Sequence, residues 1–213
     1  MIASDAQRMR LILGLRQIGV TNARLLSAIE RTPRAQFVAP HLAGLAWEDE
    51  PLPIEGGRQT PKPSEAARVL AALAPGQDDS VLEIGTGSGW QTAVLARLSR
   101  RVVSLERRRG LADAARDRLG GMGFTAVRVH WADGGVGWAE EAPYDRIVVN
   151  AAIHIPRPAA LIEQLRPGGV LAAAVTDGPR QILTRVRLSD DGETEVTTHG
   201  PVRFPEIEAG VEY

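Results

Sequence analysis

Short, largely apolar runs alternate along this chain with stretches of helical period. Residues 81–84, 102–105, 127–130, 144–150 and 170–175 read as short strands, and 144–150 is apolar through its middle, the pattern of a parallel strand buried on both faces. Between them, apolar residues recur on one face at helical spacing. Ala66, Ala67, Val69, Leu70 and Leu73 mark one helix, which starts at Ser64-Glu65 and stops at Pro75-Gly76. Residues 92–98 mark a second; Leu111, Ala112, Ala115 and Leu119 mark a third, ended by glycines 120, 121 and 123; residues 158–165 mark a fourth. Strand and helix in strict alternation predict an α/β domain with a doubly wound, mainly parallel sheet. Residues 182–188 and 193–198 flank Asp190-Asp191-Gly192 and predict a hairpin, hence an antiparallel edge; Val202-Arg203-Phe204 closes the ordered pattern.

The front of the chain has a different texture. Met9, Ile12, Leu13, Leu15 and Ile18 predict a helix that stops near Gly19. Thr21-Asn22 supplies an N-cap for a second helix with Leu25, Leu26 and Ile29 on one face, broken at Thr32-Pro33-Arg34. Residues 37–47 predict a short irregular segment with some helix. Residues 51–63 carry prolines 51, 53, 61 and 63 and the pair Gly56-Gly57, which excludes a helix or a central strand. A loop this long inside a domain tends to be functional, and its place just before the first sheet strand favours that reading. The division is therefore one domain, with residues 1–63 as helical cap and substrate loop and 64–213 as the core.

The candidate chemistry begins where residues 81–84 run into Gly85-Thr86-Gly87-Ser88-Gly89. A strand, a tight turn and a helix open a nucleotide-binding unit, and glycine suits a turn that a ligand must approach closely. The dinucleotide fingerprint is G-x-G-x-x-G; here the third glycine comes one residue early. Glu83 sits near the C-terminal end of its strand, where ligands of open α/β sheets bind, and Glu106 closes the next strand at the place of a ribose-binding acid. Acids with a glycine turn and no basic residue inside it suit a ligand with a ribose and a positive centre but no phosphate, such as S-adenosylmethionine. On the same logic Arg107-Arg108-Arg109 is expected to be a solvated face. Asp133-Gly134 follows the third strand, where a carboxylate can accept from an adenine amino group; as a turn it is equally ordinary. Asn150 reaches the same sheet edge.

Composition narrows the partners. Across 213 residues the net charge is −1, so no basic field recruits nucleic acid or an anionic membrane. There is no cysteine, which removes disulfides, thiolate metal sites and cysteine nucleophiles. The histidines 41, 130, 154 and 199 lack metal-ligand spacing, and no metal is expected. The polar first residues and the lack of a long apolar run predict a cytoplasmic protein.

Arg34-x-x-Phe37-Val38, Pro51-Leu52-Pro53-Ile54, Leu82 to Gly89, Glu106-Arg107, Asp133-Gly134, Pro143-Tyr144-Asp145, Ala151-Ala152 and Val202-Arg203-Phe204 together resemble bacterial protein-L-isoaspartate O-methyltransferases over nearly the full length. The resemblance implies a class I methyltransferase fold, S-adenosyl-L-methionine as cofactor, and a peptide or protein substrate whose carboxylate is methylated. It places Gly85, Thr86, Gly87, Ser88 and Gly89 at the donor, the ribose hydroxyls on Glu106, and adenine near Arg107, Asp133 and Gly134. Glu83, Gln59 and Ser64 join that set, and the proline-rich loop covers the donor and binds substrate. The family loop carries an active-site serine, and counting without gaps puts Pro61 in its place; Thr60 is the nearest surviving hydroxyl. Thr60 and Pro61 are thus the candidate catalytic positions. Asn150 stands for a usual threonine, and Pro205-Glu206 for a Val-Pro. The altered loop leaves open a relative that binds cofactor or isoaspartate without turnover. An oxidoreductase is disfavoured by the early third glycine.

Overall fold

The computed structural model describes residues 5–154 and 159–213. Two helices, α1 (Asp5–Gln17) and α2 (Ala23–Glu30), form the front, and the Asn22 carboxamide oxygen caps α2 by accepting from the Leu25 amide at 3.0 Å. Two short 3-10 turns, Arg34–Phe37 and Pro40–Leu45, lead into the proline-rich segment. That segment is not structureless. It folds back on itself as β1 (Pro53–Ile54) and β2 (Arg58–Gln59), an antiparallel pair around Gly56 and Gly57, both with positive φ. Helix α3 (Pro63–Leu73) follows, starting one residue before its expected boundary because proline at the first helical position is already set for it.

The core sheet has seven strands in the order β5-β4-β3-β6-β7-β8-β9. Strands β3 (Ser80–Ile84), β4 (Arg101–Glu106), β5 (Val127–Trp131), β6 (Tyr144–Ile153) and β7 (Leu165–Asp177) are parallel neighbours. Strands β8 (Arg180–Leu188) and β9 (Thr194–Pro201) extend it antiparallel, as the hairpin pattern predicts. Helices α4 (Trp90–Ala96), α5 (Arg109–Gly121) and α6 (Ala159–Ile162) connect them. The helix expected over 158–165 begins outside the described residues at Pro158; from Ala159 it lasts one turn. The Arg166-Pro167-Gly168-Gly169 turn interrupts the β7 register between Leu165 and Val170, where Gly168 has φ +77°.

Side chains alternate across the sheet with the pleat. Val81, Val102, Val148 and Ala172 face a core shared with α1, α2, α3 and α4. Leu82, Val103, Ile147, Val149 and Leu171 face the other, closed by Leu161 and Tyr144. The strand order reverses between β3 and β6, so the crevice for a ligand lies beyond their C-terminal ends.

Candidate active site

The turn after β3 is built for close approach. Gly85, Gly87 and Gly89 have φ of +91°, +53° and +84°, a region that side chains with a Cβ resist. The amides of Gly85 and Thr86 both donate to the Leu105 carbonyl, at 2.8 and 3.2 Å, which ties the turn to the end of β4. The Gly87 amide donates to Glu106 Oε2 at 2.9 Å, while Glu106 Oε1 accepts from the Arg108 amide at 3.0 Å. One carboxylate thus holds the glycine turn and the start of α5 together. Gly134 completes this wall; a Cβ there would lie 2.2 Å from Ile84 Cγ2, so only glycine fits.

Strand β6 reaches the same edge through an irregularity. The β6–β7 register slips between Val149 and Ala152, so Asn150 and Ala151 lack ladder partners and line the crevice. Such bulges re-aim side chains beside sites. The Asn150 amide nitrogen donates to Glu83 Oε1 and to the Gly85 carbonyl, each at 3.0 Å, and its oxygen accepts from Gln91 Nε2 at 2.6 Å.

Beyond Phe204 the chain stays ordered, contrary to the expected close at residue 204. The Ala152 amide donates to the Pro205 carbonyl and the Ile207 amide to the Ala152 carbonyl, so residues 205–207 run beside the end of β6. Further on, the Glu212 amide donates to the Arg107 carbonyl and the Arg109 amide to the Glu212 carbonyl, beyond the end of β4. Since β3 lies between β6 and β4, this strap crosses the mouth of the crevice. Arg107 is bound to Glu208 and Glu212, and Arg108 to Glu212. The expectation of a solvated basic face is therefore overturned for these two arginines: both line the crevice and are neutralised by the strap. Arg109, more than half exposed, fits that expectation better.

The crevice encloses about 1000 Å³ including its open mouth. Its walls are the glycine turn, Glu106, Leu111 and Gly134 on one side, and Arg58 to Pro61 with residues 205–208 on the other. Of the expected contacts, Gln59, Thr60, Pro61, Gly85, Thr86, Gly87, Ser88, Glu106, Arg107 and Gly134 line it. Others do not. Glu83 is wholly buried, its carboxylate accepting from Thr92, Ser104 and Asn150; it supports the turn from behind. Burial raises its pKa to about 7 against the pull of those three donors. Asp133 holds the Gly135 amide with one oxygen and the Gly210 amide of the strap with the other. Ser64 gives its amide to Asp49, and Gly89 packs its backbone on Leu119 and Ala115. The Thr60 hydroxyl accepts from Arg34 and from the Leu52 amide, so it is turned into the fold.

Sequence reasoning missed Gln91 and the strap. Gln91 lies in the first turn of α4, is 4% exposed, and lines the crevice, yet its Oε1 has no hydrogen-bond partner. An orphaned buried acceptor is costly unless a ligand supplies the donor. The groups present fit S-adenosylmethionine: Glu106 would take a ribose diol, Gln91 Oε1 would take an ammonium, and the arginines are already paired and so do not call for a phosphate. No group of three acids and histidines suited to a metal ion occurs among the described residues.

A parallel sheet reversing at β3, a glycine turn and a following acid define an S-adenosylmethionine-dependent methyltransferase of the Rossmann-like class. The family model described as Protein-L-isoaspartate(D-aspartate) O-methyltransferase (PCMT) matches residues 6–210, and the chain belongs to that family. A Protein-L-isoaspartate O-methyltransferase of Caulobacter vibrioides is 43% identical, covering 95% of this chain and 90% of its own. One from Maricaulis maris is 42% identical, covering 97% and 96%. A solved protein-L-isoaspartate O-methyltransferase aligns with TM-score 0.83 and 25% identity, over 96% of this chain and 67% of that one. A Plasmodium falciparum structure described with S-adenosyl-L-homocysteine shares the fold, at TM-score 0.79 and 18% identity over 93% and 97%.

Proposed function

We infer that this chain is a carboxyl O-methyltransferase that esterifies L-isoaspartyl residues in peptides or proteins. Membership of the family carries the reaction, and the crevice supplies the means. S-adenosylmethionine, when bound, offers an electrophilic methyl carbon: a C–O bond forms as the C–S bond breaks, its electron pair goes to sulfur, and no proton moves. The substrate carboxylate has an ordinary pKa near 4 and is ionised at neutral pH, so the protein need not supply a base. What remains is orientation and exclusion of water. Gly85, Gly87, Glu106 and Gln91 would hold the donor. Residues 58–61 and 205–208 also line the crevice and would meet the peptide.

The absence of a free hydroxyl among those residues is compatible with this chemistry, because attack by an existing anion needs placement rather than deprotonation. The test is transfer of a labelled methyl group to an isoaspartyl peptide, expected to give a base-labile ester, with the aspartyl isomer as control. Binding of S-adenosylhomocysteine without ester at any enzyme concentration would instead identify a binder without turnover.

A further inference from the structure

A carboxylate substrate needs a counter-charge, and the crevice holds three candidates: Arg58, Arg107 and Arg108. Two of them are committed. Arg107 donates to Glu208, Glu212 and the carbonyls of Ala209 and Gly210. Arg108 is held by Glu212 and by the Gly56 carbonyl. Arg58, in β2, differs. Among the described residues its side chain has a single recorded partner, Glu208 Oε1 at 2.6 Å from Nη2, and it stays about one-third exposed. The other oxygen of Glu208 is already taken by Arg107. Arg58 can therefore exchange Glu208 for another carboxylate without leaving that glutamate uncompensated.

We propose that Arg58 receives the substrate carboxylate, and that Glu208 is the internal carboxylate which holds its place until substrate arrives. This rests on the carboxyl-methylation reading above. A guanidinium that grips one carboxylate oxygen leaves the other free to attack. Esterification removes the charge, so the product loses its hold on Arg58 and Glu208 can return, which favours release. Because the pairing is strongest with the ionised ground state, it acts on substrate binding more than on the chemical step.

The test is steady-state methylation of an isoaspartyl peptide by wild type, Arg58→Gln, Arg58→Lys and Glu208→Gln, with calorimetry of S-adenosylhomocysteine on each. Arg58→Gln is expected to raise KM about tenfold with kcat within about threefold. Arg58→Lys should recover part of that loss. Glu208→Gln should lower KM, since it removes the competitor. The affinity for S-adenosylhomocysteine should stay within about twofold throughout. KM rising alike in Arg58→Gln and Glu208→Gln would overturn the proposal, because the pair would then be only a strap. An unchanged KM in Arg58→Gln, or a loss of S-adenosylhomocysteine affinity as large as the change in KM, would also overturn it. Wild type forming no ester would overturn the reaction itself and this proposal with it.

Discussion

Arg34 Nη2 donates to the hydroxyl of Thr60 at 2.8 Å, and that single contact fixes the role of both residues. Arg34 is 1% exposed and also donates to the carbonyls of Glu48 and Glu50, and burial lowers its pKa to about 10. It fastens the front of the chain to the loop that walls the crevice. Arg34→Ala takes the donor from the half-buried carbonyls of Glu48 and Glu50 and one of two donors from the Thr60 hydroxyl, and is expected to destabilise by about 1–3 kcal/mol. Thr60→Val should destabilise by about 1–3 kcal/mol and Thr60→Ser far less, since the serine hydroxyl can accept the same two donors. Urea midpoints check all three; a stable Thr60→Val with lost turnover would show that the hydroxyl acts in catalysis after all.

Glu83 should make stability depend on pH. Its pKa rises from 4.5 unfolded to about 7 folded, because burial opposes the charge. The folded state then binds the proton more tightly, so stability falls as pH rises from about 4.5 to 7 and levels off above. At about 1.4 kcal/mol per pH unit the full effect is on the order of 3 kcal/mol. Glu83→Gln removes this slope. Wild type should therefore gain stability relative to Glu83→Gln on going from pH 8 to pH 5, read by denaturant unfolding at both. Parallel profiles would mean that Glu83 keeps an ordinary pKa.

Two variants should separate the halves of the donor. Glu106→Ala is expected to weaken S-adenosylhomocysteine by about 1–3 kcal/mol, and 5′-methylthioadenosine by as much, because both carry the ribose. Gln91→Leu should weaken S-adenosylhomocysteine by about 1 kcal/mol or more yet spare 5′-methylthioadenosine, which lacks the amino acid. Calorimetry with both ligands gives the comparison. Equal losses in Gln91→Leu would reduce Gln91 to a packing role.

Gly85→Val should abolish measurable binding. At φ +91° a Cβ meets Asn150 Cβ at 3.2 Å, and a branched side chain cannot rest there. The turn must shift, carrying the Gly85 carbonyl away from the Asn150 amide. Thermal unfolding should show a lower midpoint in the same variant, and an unchanged midpoint with intact binding would contradict the assigned geometry.

The strand–turn–helix around Gly85 was legible because local pattern, turn chemistry and a buried parallel sheet agree there. Glu106 was legible for the same reason: it ends a strand adjacent to the turn. Glu83 was misplaced because period-two alternation tells which face a residue takes, not which neighbours wait there. Thr92, Ser104 and Asn150 come from three other elements. Arg107 was expected beside the adenine, but its pairing, Arg108 and the strap were missed together. Glu208 and Glu212 lie about a hundred residues from the arginines that they neutralise, and only tertiary structure joins them. The acids between Phe204 and the last residue, set against the arginine triplet, were the available hint.

The strap has a practical consequence for anyone handling this protein. Tyr213 rests edge-on against Trp131, with ring centroids 4.7 Å apart, beside the doorway of the crevice. Any purification handle or fusion partner joined after that tyrosine would emerge next to Glu212, which holds Arg107 and Arg108 at the crevice. A handle placed ahead of α1 attaches to the opposite part of the sequence, where none of the described residues of α1 lines the crevice.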